Sequence, residues 1–264
     1  MTRLRFGTFN LLHGMAPRDG TVDAEQLAAA ARTLDADIVG LQEVDRGQSR
    51  SGGVDHAHVV GRALGATAIR FVPSVHGTPG DGTSWSAATE ADGSQTVGPT
   101  YGIAMVSRLP VRSWWVKRFS AAPVALPLLV PGDERPRLLR VPDEPRLALA
   151  AVVEGPLGPI TVVTAHLSFV PGYNARQLRA ITRWVARMPQ PAFVLGDFNL
   201  PGSLPRLLTG WTSLGTAATY PSYRPRVQLD HVLARGLADG ATMAAQAWSL
   251  PVSDHCALTV DVEL

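Results

Sequence analysis

Four apolar, strand-like runs in this chain each meet a charged or amide residue at one end. Asn10 follows LRFGTF, Glu43 follows DIVGLQ, Asp197 and Asn199 follow AFVLG, and the pair Asp254-His255 leads into CALTVDV. A polar group stranded at the end of a buried strand costs about 1–3 kcal/mol even when neutral, and more when charged, unless it is paired, metal-bound or used in chemistry. The pattern therefore limits the fold to one that gathers these strand ends at a shared site.

Composition narrows the class. At 264 residues with 45% hydrophobic and 17% charged residues, the chain has material for a sizeable core, and no compositional break divides it. Residues 1–264 are expected to form one domain. A net charge of +2 does not by itself imply a polyanionic partner. Lys117 is the sole lysine among 24 basic residues; arginine suits phosphate contacts, but a coding bias explains the usage more simply. One cysteine, Cys256, excludes an internal disulfide. The N-terminal stretch lacks a secretory h-region, and no apolar run approaches the roughly 20 residues that span a bilayer. A cytoplasmic protein without a transmembrane segment is expected, with no obligate protein partner.

Periodicity predicts strands over 3–10, 37–42, 66–72, 101–107, 111–118 and 192–196, with a hairpin of 147–153 and 160–165 around GPLGP. Further strands are expected over 227–234, 241–248 and 256–263. Helices are expected over 23–34, started by Asp23, over about 55–64, and over 174–187, capped by Asn174 with Ala175, Leu178, Ile181 and Val185 on one face. A short helical piece falls near 203–208. Residues 73–99 read as a long loop and 119–145 as a proline-punctuated surface excursion. Strands dominate in both halves, so the expected architecture is two sheets packed together with helices outside.

The polar groups also define a chemistry. Carboxylates gathered in one cleft repel by about 4 kcal/mol per close pair at an effective dielectric near 20. A divalent cation removes that repulsion. Oxygen donors from Glu, Asp and Asn without a cysteine cluster suit Mg²⁺ or Mn²⁺ rather than Zn²⁺, and such cations usually share their coordination sphere with substrate phosphate. Phosphoester hydrolysis also needs a base for water or a charged group facing the phosphoryl oxygens, which histidines supply. Asp230, in QLDHVL, could orient such an imidazole.

The strings TFNLLHG, LQEVDR, YGIAMVSR, TAHLS, LGDFNLP, QLDHVL and VSDHC, in that order from about residue 3 to 263, resemble the endonuclease/exonuclease/phosphatase family. That resemblance implies an α/β fold, a four-layer α/β/β/α sandwich of two packed mixed sheets with helices on the outer faces. It implies Glu43 as main metal ligand, with Asn10 and Asp254 near the metal. His255 would be the base or a phosphate-contacting imidazole, paired with Asp230. Asp197 would position or deprotonate the attacking water. Asn199, His166 and Tyr101 would contact the substrate. His166 stands where abasic-site endonucleases carry Tyr and deoxyribonucleases carry His. The family's YGNA reads here as Tyr101-Gly102-Ile103-Ala104, without the amide.

The implied activity is Mg²⁺-dependent hydrolysis of a phosphodiester or phosphomonoester, with Mn²⁺ as a substitute. A nuclease acting on DNA or RNA, a sphingomyelinase-like phospholipid hydrolase and a catalytically inactive binding protein stay open as alternatives. The 73–99 loop, which the resemblance places at the rim of the cleft, holds no Lys or Arg but has Asp81, Glu90 and Asp92, which argues against long nucleic acid and leaves small-molecule, lipid and nucleic-acid phosphoesters open. Residues 119–130, FSAAPVALPLLV, are apolar and expected to pack. Cys256 and His231 are expected to be structural. Arg176, Arg179, Arg183 and Arg187 form a basic stripe that reads as a solvated helix face.

Overall fold

Each polar strand end is positioned by strand pairing, and the pairing follows the apolar patterning. The computed structural model describes residues 2–79, 85–90, 98–130, 137–238 and 243–263. The first part of the chain forms β1 (Arg3–Asn10), α1 (Ala24–Leu34), β2 (Ile38–Arg46), α2 (His56–Leu64), β3 (Ala68–His76), β4 (Ser86–Ala87) and β5 (Thr100–Ser107). The middle forms β6 (Val111–Phe119), β7 (Ala125–Val130), β8 (Arg137–Pro142), β9 (Arg146–Gly155) and β10 (Gly158–His166). Then come α3 (Tyr173–Val185), β11 (Ala192–Asp197), α4 (Leu204–Thr209), β12 (Thr212–Ser213), β13 (Asp230–Arg235), β14 (Met243–Trp248) and β15 (Ala257–Glu263).

Among the described residues the strands make a seven-stranded sheet in the order β14-β15-β1-β2-β5-β3-β4 and a six-stranded sheet in the order β12-β13-β11-β10-β9-β6. Both are mixed, since β1–β2 and β10–β11 are parallel and their other neighbours antiparallel. Phe6, Ile38, Met105 and Leu258 of one sheet pack against Leu149, Val162, Phe193 and Leu195 of the other. Phe6 and Phe193 stack across this core with ring centroids 4.2 Å apart. Leu27, Leu34 and Val60 cover the outer face of the first sheet, and Leu178, Ile181 and Val185 cover that of the second. Helix, sheet, sheet, helix is the expected four-layer sandwich. The sheets approach so closely at Gly40 that a Cβ there would collide with Leu195 and Thr164.

Several boundaries moved. β2 continues to Arg46 instead of stopping at 42, because the chain bulges between Leu41 and Val44 with Glu43 at φ +54°. β3 runs to His76 because β5 offers it a partner as far as Thr100. The expected excursion at 119–145 contains the β7–β8 hairpin, while 131–136 lie outside the described residues, as do 80–84 and 91–97 of the expected loop. Asp23 caps α1 as expected, accepting the Glu25 N–H at 2.8 Å. Asn174 does not cap α3: Gly172 holds that position, and Asn174 sits buried inside the first turn. The buried face of that helix is Asn174, Gln177, Leu178, Ile181, Thr182 and Val185, with Ala175 only partly covered, because the face begins one residue earlier than predicted. Arg176, Arg179, Arg183 and Arg187 are exposed.

Candidate active site

Strand register gathers the polar groups in two rows. In the six-stranded sheet His166 pairs with Asp197, and Asp197 pairs with Asp230, so three neighbouring strands present a polar residue at one level. In the seven-stranded sheet Asn10 pairs with Gln42, immediately before the bulged Glu43. Beneath the rows a buried polar bridge joins the sheets: Thr8 Oγ1 donates to Gln42 Oε1 at 3.2 Å, and Gln42 Nε2 donates to Thr164 Oγ1 at 2.9 Å. Satisfied polar groups at this depth fix the relative height of the two sheets.

Special backbone conformations aim the side chains. Glu43, Asn199 and Ser253 all have positive φ, at 54°, 49° and 74°. Each costs of order 1–3 kcal/mol for a non-glycine residue, and such strain clusters at functional sites. Gly196, with φ 147°, lets β11 pass under the Ala165 carbonyl, which a Cβ would strike. Ser253 Oγ accepts the His255 N–H at 3.0 Å and so shapes the turn carrying Asp254 and His255.

The side chains converge on Asp197. Its Oδ1 accepts the Asn199 N–H at 2.9 Å, and its Oδ2 accepts Asn10 Nδ2 at 3.1 Å. The same oxygen lies 3.5 Å from His166 Nε2 and 3.8 Å from His255 Nε2. His255 Nδ1 meets Asp230 Oδ2 at 2.9 Å, and Tyr220 packs tilted against the His255 ring, centroids 4.9 Å apart. Asn199 Nδ2 donates to Leu167 O at 3.0 Å. Asn10 lies between two of the acids. Its Oδ1 accepts the Leu12 N–H at 3.1 Å, and its Nδ2 also donates to Glu43 Oε1 at 3.0 Å. Asn10 thus presents donors to two acids and holds them, while its oxygen accepts one backbone N–H and keeps a second lone pair.

Burial and charge perturb the acids and histidines in opposite senses. Burial, reinforced by Asp254, pushes the Glu43 carboxyl up to about 7 despite the Asn10 hydrogen bond. Burial also raises Asp254, and it raises Asp197, to about 6, against the opposing pull of His255. Burial alone would lower His255, but Asp230, Asp197 and Asp254 outweigh it and push the ring up to about 10. These acids favour the charged imidazolium, which suits the phosphate-contacting one of the two roles expected of His255. Burial, with Arg146 and His255 nearby, holds His166 well below the ordinary value. Tyr101 is buried, and desolvation beside Glu43 and Glu144 raises its phenol.

Asp197, Asp230 and His255 form a group whose ligand atoms lie within 4.8 Å of one another and could hold a metal ion. The hydrogen bond between His255 and Asp230 already occupies one ring nitrogen. Glu43 and Asp254 are acids whose charged form burial disfavours. Hard oxygen donors whose protonation a cation would suppress fit Mg²⁺ or Mn²⁺ at that side.

Arg146, Asp143, Glu144 and the Asp45–Arg50 pair escaped the sequence reading. Arg50 grips Asp45 through Nε at 2.8 Å and Nη2 at 2.7 Å, and its guanidinium lies 5.6 Å from the Tyr101 ring centroid. DEP precedes β9 and Arg146 opens it, polar punctuation of the same kind as the four strand ends, so the signal existed at a strand start. The rim is not free of positive charge either: Arg118, from β6, donates to Pro73 O and Glu90 O. His231 is structural as expected, with Nε2 2.8 Å from Leu200 O and its ring stacked on Phe198. Cys256 is buried.

A sequence profile of the Endonuclease/Exonuclease/phosphatase family matches residues 7–255, and the chain belongs to that family. No curated protein sequence matches it significantly. Among solved structures, an endonuclease/exonuclease/phosphatase from Beutenbergia cavernae is 20% identical with a TM-score of 0.65, over 100% of this chain and 72% of that one. A mannosyl-6-phosphatase from Bacteroides thetaiotaomicron is 14% identical with a TM-score of 0.62, covering 99% of this chain and 100% of its own. Truncated TDP2 from Caenorhabditis elegans is 14% identical with a TM-score of 0.60, covering 99% and 98% respectively. At these identities the likeness establishes a shared fold.

Proposed function

We propose that the chain is a divalent-cation-dependent phosphoester hydrolase using Mg²⁺ or Mn²⁺, acting as one domain in the cytoplasm. The observation that carries this reading is the convergence on Asp197 of Asn10, His166 and His255, with Asp230 holding the far side of the His255 ring. Glu43 and Asp254 would hold the cation, which when bound neutralises the acids and polarises a phosphoryl oxygen.

The chain's own groups divide the remaining work. Asp230 accepts the His255 Nδ1 proton and keeps Nε2–H directed at the reacting centre, where an imidazolium stabilises charge developing on phosphoryl oxygens. Asp197, raised toward neutrality, takes the proton of the attacking water; a base is most effective when its affinity for protons lies near the working pH. Asn10 keeps Asp197 and Glu43 apart in fixed positions. Asn199 and His166 contact the phosphate, with Tyr101, which feels the Glu43 charge, at the substrate side.

The test is a panel of bis-p-nitrophenyl phosphate, p-nitrophenyl phosphate, sugar phosphates, sphingomyelin, DNA and RNA with Mg²⁺ or Mn²⁺. Metal-dependent turnover of at least one member, lost in Glu43→Gln, is expected. The substrate turned over fastest separates diesterase, monoesterase and nuclease. No turnover of any member with either cation overturns the proposal and leaves a binding protein of the same fold.

A further inference from the structure

Arg146 begins β9 and is only 6% exposed, and its guanidinium lies against the active-site histidine: Nη1 is 3.1 Å from His166 Nδ1. A guanidinium carries N–H donors only and keeps its proton at any physiological pH. The contact is a hydrogen bond only if Nδ1 supplies the lone pair. In a neutral imidazole the proton then resides on Nε2.

The surroundings keep Arg146 from turning away. Its Nε lies 3.6 Å from Asp143 Oδ1 and its Nη1 3.8 Å from Glu144 Oε2, while the Phe169 ring centroid is 5.9 Å from its Cζ. Asp143 is itself fixed, accepting Ala122 N–H and Ser168 Oγ–H at 2.8 Å each. On the other side of the ring, Nε2 is 3.5 Å from Asp197 Oδ2, an acceptor that suits a protonated Nε2. Asn199 Nδ2 is also 3.5 Å away and is a donor; one of its two hydrogens goes to Leu167 O, and a proton on His166 Nε2 requires the other to point away from the ring.

We propose that Arg146 is a positioning residue that locks His166 in the Nε2–H tautomer, so that His166 meets the substrate as a hydrogen-bond donor rather than a proton acceptor. That the acceptor is a phosphoryl oxygen rests on the functional reading above; the tautomer does not. Burial and Arg146 also disfavour the doubly protonated ring.

Long-range ¹H–¹⁵N correlation of ¹⁵N-histidine-labelled protein reads the tautomer directly, with the His166 signals assigned by their loss in His166→Gln. The wild type is expected to show protonated Nε2 and bare Nδ1. Arg146→Met is expected to shift His166 toward a tautomer mixture and to lower kcat about tenfold with KM within about threefold, as loss of an orienting partner does elsewhere. Arg146→Lys, still a donor, is expected to retain the wild-type pattern. A predominant Nδ1–H form in the wild type overturns the proposal, as does an unaltered pattern in Arg146→Met. The wild-type spectrum decides even if the Met variant does not fold. Because no turnover is needed, a protein with the Nε2–H tautomer but no phosphoester activity would remove the functional reading and leave this one standing.

Discussion

His255 Nδ1 lies 2.9 Å from Asp230 Oδ2, although Asp230 opens a strand of the six-stranded sheet and His255 leads into a strand of the seven-stranded sheet. The dyad is therefore a joint between the two halves of the sandwich. Asn10 makes a second joint, reaching from β1 to Asp197 on β11 at 3.1 Å. The site exists only while the sheets keep their relative position, which the Thr8–Gln42–Thr164 bridge maintains.

Asp230→Asn should leave the fold intact and reduce turnover. An amide cannot hold the His255 Nδ1 proton as a carboxylate does, and loss of a correctly held acid–base group lowers rates by about 10²–10⁴-fold. Steady-state kinetics beside calorimetric Mg²⁺ binding check this. Turnover within threefold of wild type would exclude the dyad from catalysis, while lost Mg²⁺ binding with unaltered folding would place a metal on it.

Removing the cation should lower thermal stability in the wild type and have little effect in Glu43→Gln. A ligand that binds only the folded state stabilises by about 2.7 kcal/mol at a hundred times its dissociation constant. Melting curves with Mg²⁺ and with EDTA measure the shift. An equal shift in wild type and Glu43→Gln means the cation sits elsewhere.

Gly196→Ala should destabilise by at least about 3 kcal/mol, because the new methyl would meet the Ala165 carbonyl in a left-handed backbone conformation. Urea unfolding gives the value. An unchanged midpoint would show that β10 and β11 can separate without penalty.

Far from the site, the Arg5 hydrogen bond, with Arg3 also contributing, holds Asp261 below its ordinary 3.8 against the opposing effect of burial. The folded state thus binds this proton less readily than the unfolded chain. Its stabilisation is complete above the unfolded value and vanishes as pH falls through the folded one. Asp261→Asn should therefore be less stable than wild type at about pH 7 and equal to it at about pH 2. Urea midpoints at both pH values measure the difference, and a gap that widens on acidification contradicts the sign.

Much of the site was legible because its residues interrupt local patterns. Glu43, Asp197 and the Asp254-His255 pair stand out where apolar runs stop, and alternation or helical spacing found most elements within a few residues. The boundaries that moved were decided by partners: β2 lengthened through a bulge against β5, and α3 shifted because Asn174 turned inward, where its Nδ2 donates to Asn199 O at 2.9 Å. Arg146 was missed since a charged residue just ahead of the strand expected over 147–153 reads as ordinary loop until His166 is placed beside it.

The sequence by itself determined which residues had to be gathered, through the penalty of leaving polar groups at the ends of buried strands, and its ordered motifs pointed to the family. Only the tertiary structure decided which partners each of them meets. Whether Asn10 offers an oxygen or an amide nitrogen, whether His255 is charged, and which nitrogen of His166 holds its proton depend on partners 20 to 187 residues away in the chain. Hydrogen-bond direction and proton affinity are properties of distance and burial, and those are fixed only once the two sheets close on each other.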